Sequence, residues 1–355
     1  MTNYPTKFGY NDDEVISVLQ EETRRENEYQ AMFFALELAV NLKRRLMYHI
    51  TKKPLSFPTM FQIQTNNLCN GSCIMCPISE EKNKKPGRMS DELFEKIIKE
   101  ISEYSTEDIF IWLHLQNEPL TDNNIFNKLK LVKKLSNGKI KTGLVTNGTL
   151  LTEEKIKELN ESEVDRICFS IDASTEENYK KIRRGLSYNK VLKNIENLRN
   201  SNSKTSLIVR FIWQKDNYFE LNDFKKFWKN KGITTEIGIV NNRAGTVSNF
   251  KDIGLTHKNI PFKYKFVQNI WVILTGGCYN LSNSFNILHD GDVIMCCNDY
   301  IKKTILGNVK NNSIKEIWTS KRYQSIREAI FNKDFEKIPE CNNCSLIRYS
   351  WTEIP

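Results

Sequence analysis

The stretch "FQIQTNNLCNGSCIMC", residues 61–76, sets a short alternating run directly before a loop that carries Cys69, Cys73 and Cys76. "FQIQT" alternates apolar and polar residues with the period of a β-strand. In a parallel α/β sheet, ligands gather in the loops that leave the carboxyl ends of the strands. The three thiols sit in such a loop.

The chain beyond repeats the pattern. Apolar or β-branched runs at 108–115, 140–146, 165–172, 206–213 and 235–240 read as strands. Amphipathic helical patterns at 90–104, 122–136, 152–160, 175–200 and 218–230 lie between them. Strands of this kind alternating with helices predict a parallel sheet covered by helices, and six such units predict an α/β fold with a partial (β/α)6 barrel. After residue 245 the rhythm changes, with an irregular stretch to about 267. "SFNILHDGDVIMCC" (284–297) reads as two strands around a turn at Asp290-Gly291, 313–332 as a helical pair, and "CNNC" follows at 341–344. The expected division is a helical extension over 1–55, the barrel over 56–245 and a small α+β segment carrying the late cysteines over 246–355. That last segment is too small for a self-sufficient core, a shortage that a bound metal relieves.

The formal net charge is +9, from 52 Lys and Arg against 43 Asp and Glu. Those charges are dispersed over many amphipathic segments with no recognition motif, so a solvated lysine-rich surface is expected and no nucleic-acid partner. The apolar run "AMFFALELAV" (31–40) is too short to span a bilayer and reads as part of a docking helix. The N-terminus lacks the pattern of a secretory signal, which predicts a cytoplasmic protein.

In a reducing compartment, nine cysteines grouped in short motifs point to metal rather than disulfides. Structural zinc takes four closed ligands, so the early triplet fits it poorly. A [4Fe-4S] cluster on three thiolates keeps one iron open for a further ligand. The late set Cys278, Cys296, Cys341 and Cys344 supplies four thiolates, for which a four-cysteine zinc site is one reading.

Several segments, taken in order, resemble the radical S-adenosylmethionine superfamily. "CNGSCIMC" matches its CxxxCxxC motif, with Met75 before the last cysteine. "QNEPL" (116–120) resembles the glycine-glycine-glutamate motif that meets the methionine amino group, carried here by Asn117, Glu118 and Pro119, although both glycines are absent. "TNG" (146–148) and "FSID" (169–172) stand where members line the ribose and carboxylate, which implicates Thr146, Asn147, Ser170 and Asp172. In "YKKIRRG" (179–185), Arg183 is the first choice to pair with the methionine carboxylate and Arg184 the second. From Cys278 through Gly291 to Cys296 the spacing resembles the opening of the SPASM extension, in the truncated Twitch form that ends with "CNNC". This set is most similar to that of members oxidising an amino-cyclitol alcohol.

The resemblance implies S-adenosyl-L-methionine, a three-cysteine [4Fe-4S] cluster and a four-cysteine auxiliary [4Fe-4S] cluster as cofactors. It implies a flavodoxin- or ferredoxin-type electron donor and an oxidoreductase acting on a sugar or amino-cyclitol alcohol. The competing expectation is a maturase that crosslinks or epimerises a precursor peptide. Catalytic candidates are Cys168, on the strand face of Ser170, together with Arg210 and Arg243; core packing is the plainer reading of Cys168. Arg210 could instead form an ion pair with a neighbouring helix, and Arg243 could be a solvated loop charge. His114 is expected to be a satisfied core histidine, His289 a turn residue, and Trp112, Trp213 and Trp271 packing residues. Alternation along a strand would point Cys297 away from Cys296 unless the strand ends before them.

Overall fold

Along the first two barrel strands every second residue is buried and its neighbours are half-buried, and this asymmetry gives the sheet its two faces. The computed structural model describes residues 55–80, 85–104, 109–255, 278, 280–332 and 334–345. The expected N-terminal helices, Trp271 and most of the irregular stretch before residue 278 lie outside the described residues.

The strands are β1 (Met60–Ile63), β2 (Phe110–Trp112), β3 (Lys141–Thr146), β4 (Arg166–Ser170), β5 (Ser206–Trp213), β6 (Thr234–Ile239), β7 (Ser284–Ile287), β8 (Asp292–Ile294) and β9 (Ile305–Asn308). They form one sheet in the order β6-β5-β4-β3-β2-β1-β7-β8-β9. The first six run parallel in sequence order, as a β/α repeat with helical crossovers requires. Among the described residues no pair closes β6 onto β9, so the barrel is partial. β7 joins β1 in parallel, with Phe61 opposite Phe285, and β8 and β9 continue antiparallel. The C-terminal segment therefore extends the sheet of the barrel.

The principal helices are α1 (Asp91–Glu103), α2 (Ile125–Leu135), α3 (Glu153–Glu161), α4 (Glu176–Ile182), α5 (Tyr188–Asn200), α6 (Leu221–Asn230), α7 (Ile314–Thr319) and α8 (Lys321–Phe331). Hydroxyl side chains of Ser90, Thr152, Thr175, Ser187, Ser313 and Ser320 cap the N-termini of α1, α3, α4, α5, α7 and α8, satisfying amides that lack helical partners. The single helix expected over 175–200 is two, α4 and α5, because Gly185 takes a positive φ of 79° between them. No described helix is long and apolar enough to cross a membrane.

The convex face carries Phe61, Ile63, Ile111, Leu144, Ile167, Phe169, Val209 and Phe211, all buried. With Phe94, Phe126 and Phe224 from the helices they form the core, each aromatic ring contributing about 2–3 kcal/mol on burial. The concave face holds Gln62, Trp112, His114, Arg166, Cys168, Ser170, Arg210 and Glu236, placed there by register and alternation.

Candidate active site

The first cysteine loop is shaped by a short ladder to the α4–α5 connection. Ser72 N–H donates to Arg184 O at 2.9 Å and Ile74 N–H to Ile182 O at 3.0 Å. That pairing brings the Arg183 guanidinium 3.6 Å from Cys73 Sγ, while the Gly71 amide lies 3.5 Å from Cys69 Sγ. Burial pushes the Cys69 thiol up to about 12, and also raises Cys73, where the Arg183 charge opposes it. Met75 is buried beside them. Arg183 is also ion-paired to fully buried Asp172, whose backbone is left-handed at φ 60° and whose Oδ1 accepts from the Ile212 amide at 2.7 Å. Arg184 is exposed, so of the two sequence candidates only Arg183 reaches the cysteine loop.

The ends of β2 and β3 are joined through Glu118. Its carboxylate accepts from Thr146 Oγ1 at 2.5 Å, the Asn147 amide at 2.7 Å and the Leu120 amide at 3.1 Å, while burial pushes its pKa up. Asn117 Oδ1 accepts from the Leu115 amide at 2.9 Å, and Pro119 opens the short turn that follows. The Glu118 amide donates to Leu68 O at 2.8 Å and Asn147 Nδ2 to Asn70 Oδ1 at 2.8 Å, tying both strand ends to the cysteine loop. Asn117, Glu118, Pro119, Thr146, Asn147, Asp172 and Arg183 thus stand together around Cys69–Cys76.

The late cysteines gather at the other end of the continued sheet. Cys278 is close enough to Cys296 and Cys341 for its charge to raise theirs, and Cys344 does the same to Cys341; burial is the largest cause at Cys341. β8 ends at Ile294, so the alternation expected to separate Cys296 and Cys297 no longer applies. The two thiols instead hydrogen-bond, which holds Cys297 down, with help from Arg243, and pushes Cys296 up. Among the described residues no three His, Cys, Asp or Glu side chains converge as they would around one ion.

Loop 296–300 lies between the two cysteine groups. Arg243, just past β6 in a left-handed turn at φ 48°, donates from Nη1 to Asn298 Oδ1 at 2.7 Å. Its charge is felt at Cys297 and by the Tyr300 phenol, and the Tyr300 hydroxyl is 3.9 Å from Cys76 Sγ. Arg243 is therefore half-buried and held by Asn298 beside the thiols rather than free in a solvated loop.

On the concave face between these groups, Ser170, Arg210 and Glu236 share one register row. Arg210 pairs with Glu236 at 3.0 Å, on the neighbouring strand rather than a helix, and Cys168 Sγ lies 4.0 Å from the same carboxylate. Burial pushes the Cys168 thiol up to about 12, so it stays protonated. His114 departs from expectation. Its Nδ1 is buried without a hydrogen-bond partner, and burial, with Arg210 and Arg243 behind it, holds the ring down at about 3. His289 is a turn residue as expected, with Nδ1 2.9 Å from Gln64 Oε1. Sequence reasoning missed Glu236, Tyr300 and Gln116; only strand pairing and loop closure bring them to the site.

A partial barrel with a thiol triplet at the end of its first strand and a second thiol group on the continued sheet defines an iron-sulfur protein of the radical type. Residues 63–227 match the radical SAM superfamily and residues 278–345 the SPASM iron-sulfur cluster-binding domain. The chain carries a radical SAM domain followed by a SPASM-type domain. It is 27% identical over 318 residues to a tungsten-containing aldehyde ferredoxin oxidoreductase cofactor-modifying protein of Pyrococcus furiosus, covering 80% of this chain and 86% of that one. It is 21% identical to the S-adenosyl-L-methionine-dependent 2-deoxy-scyllo-inosamine dehydrogenase of Niallia circulans, covering 81% and 92%. Its fold matches that of Streptococcus suis SuiB bound to the precursor peptide SuiA with a TM-score of 0.62 at 15% identity, covering 90% and 81%. Its cofactors are S-adenosyl-L-methionine, the radical SAM [4Fe-4S] cluster and an auxiliary iron-sulfur cluster. The donor sets fit these groups, since an amide and a guanidinium beside Cys69 and Cys73, and the Asn298 amide 3.4 Å from Cys296 Sγ, suit anionic clusters.

Proposed function

We propose that this radical SAM enzyme oxidises a hydroxyl group of a small polar substrate, a sugar or amino-cyclitol, to a carbonyl. The observation that carries the reading is the polar concave face, where His114, Cys168, Ser170, Arg210 and Glu236 stand between the two cysteine groups. Hydroxyl-rich ligands need such closely set donors and acceptors. The similarity to the inosamine dehydrogenase, which extends over 92% of its length, supports the substrate class.

In this reading Cys69, Cys73 and Cys76 hold the first cluster, and Cys278, Cys296, Cys341 and Cys344 the auxiliary one. When bound, these groups and S-adenosyl-L-methionine supply a hydrogen-abstracting 5′-deoxyadenosyl radical and an acceptor for one electron. Arg183 offers a guanidinium to the methionine carboxylate, with Arg184 too exposed to share that task. Asn117, Glu118 and Pro119 shape the amino-group pocket, and Thr146, Asn147, Ser170 and Asp172 its wall. Arg210 and Arg243 orient the substrate. Converting an alcohol to a ketone removes a hydrogen atom from carbon, a proton from oxygen and one electron. His114, held neutral, is a poor proton acceptor, which leaves Glu236 as the carboxylate on the chamber face for that proton. An electron donor of the flavodoxin or ferredoxin type would reduce the first cluster, and the division of the chain at about residues 55 and 245 goes with this scheme.

The test is anaerobic reconstitution followed by assay on 2-deoxy-scyllo-inosamine and related cyclitols. About eight irons per chain are expected for two four-iron clusters. Ketone should form together with 5′-deoxyadenosine, Cys76→Ala should abolish both, and Cys341→Ala should spare the cleavage while blocking the ketone. Failure on every cyclitol, with modification of a precursor peptide instead, would favour the maturase reading.

A further inference from the structure

Gln116 leaves β2 with a left-handed backbone, φ 53°, although it is buried and bears a long side chain. Glycine adopts that conformation without steric penalty, and glycine stands at this place in the motif the segment resembles. An offsetting interaction is visible. Gln116 Nε2 donates to Cys297 O at 3.1 Å and to Asp299 O at 3.0 Å, two carbonyls of the loop between the cysteine groups. The same loop holds Asn298 against Arg243 and brings the Tyr300 hydroxyl 3.9 Å from Cys76 Sγ. The backbone of Gln116 meanwhile leads directly into Asn117 and Glu118, which are bonded to the end of β2 and to β3. One residue therefore belongs by its main chain to the network around the first thiols and by its side chain to the loop that carries Cys296.

We propose that Gln116 is a positioning residue: its carboxamide fixes loop 297–300, and with it Tyr300, against the first cysteine loop, so that order in one thiol group is transmitted to the other. Its place in the sheet gives it this reach, because β2 ends two strands away from β7 and beside the first loop. The inference needs the two clusters but not the proposed substrate, so it stands or falls separately from the dehydrogenase reading.

Gln116→Gly removes both hydrogen bonds and also relieves the backbone. Hydrogen exchange of the full-length, cluster-free protein should show the amides of 296–302 exchanging about tenfold faster, with β1 and β4 unchanged and the melting temperature no lower. In the reconstituted protein, the EPR signal of the first cluster with S-adenosyl-L-methionine bound should change shape, which a purely local packing role would not produce. Gln116→Asn tolerates the same backbone angle but is too short to span both carbonyls, and should loosen the same segment. Unchanged exchange over 296–302 in both variants, an unchanged EPR signal, or faster exchange spread evenly over the sheet would each overturn the proposal.

Discussion

His114 shows how a single side chain can be misjudged from its neighbours in sequence. Alternation correctly places it on the strand face opposite Leu113 and Leu115, yet the polar partner expected of a buried imidazole is missing at Nδ1. What surrounds it comes from β5 and the loop after β6, elements about 100 residues or more downstream, whose arginines discourage protonation. The consequence is a pH dependence of stability. The ring has a folded pKa of about 3, below the unfolded value of 6.5, so the unfolded chain binds more protons in that window and stability is lost as pH falls through it. At pH 5 this is worth up to about 2 kcal/mol. His114→Gln should flatten that loss, read as urea midpoints compared at pH 7 and pH 5. The early cysteine triplet and Arg183 could be singled out because each stands in a local motif, and the fold sets Arg183 beside Cys73. Glu236 was not, since only the register of β5 with β6 sets it beside Arg210 and Cys168.

At the scale of elements, β3 depends on a missing side chain. A Cβ built on Gly143 would lie 2.5 Å from Trp112 Cζ3 and 2.7 Å from Cε3, so the indole lies across the floor of the concave face only because this position is bare. Gly143→Ala should cost about 1–3 kcal/mol by overpacking and displace the ring, seen as a lower urea midpoint with shifted tryptophan emission. The six barrel strands and their helices were readable because alternating and helical periods differ plainly in this chain. β9 was not, because it is four residues long, includes Gly307 and pairs across an irregular register with β8. Gly185 similarly hid the break between α4 and α5, since the apolar spacing of the two helices runs on through it.

For the molecule as a whole, the continuous sheet makes barrel and C-terminal segment one structural unit. Arg327, buried on α8, stacks 3.7 Å from the Trp318 ring centroid and 3.8 Å from that of Tyr323, donating to Leu281 O at 3.1 Å and Trp318 O at 2.8 Å. Tyr323 in turn donates to Ser284 O on β7, and Trp318 Nε1 to Leu55 O at the start of the described chain. Arg327→Met keeps the bulk but abandons both carbonyls, and should cost about 3 kcal/mol. Hydrogen exchange should then quicken in β1 and β7 together; acceleration in β7 alone would mean that the two regions open independently.

The parallel pairing of β1 with β7 also has a consequence for biosynthesis. β1 must wait for a partner that lies more than two hundred residues further along the chain. At roughly 5–20 residues per second of translation, the nascent polypeptide carries Cys69, Cys73 and Cys76 outside the ribosome for on the order of ten to forty seconds before Ser284–Ile287 emerges. Throughout that interval one border of the growing sheet is bare, and the thiols beside it have neither their neighbouring strand nor the Tyr300 loop to shelter them from oxidants.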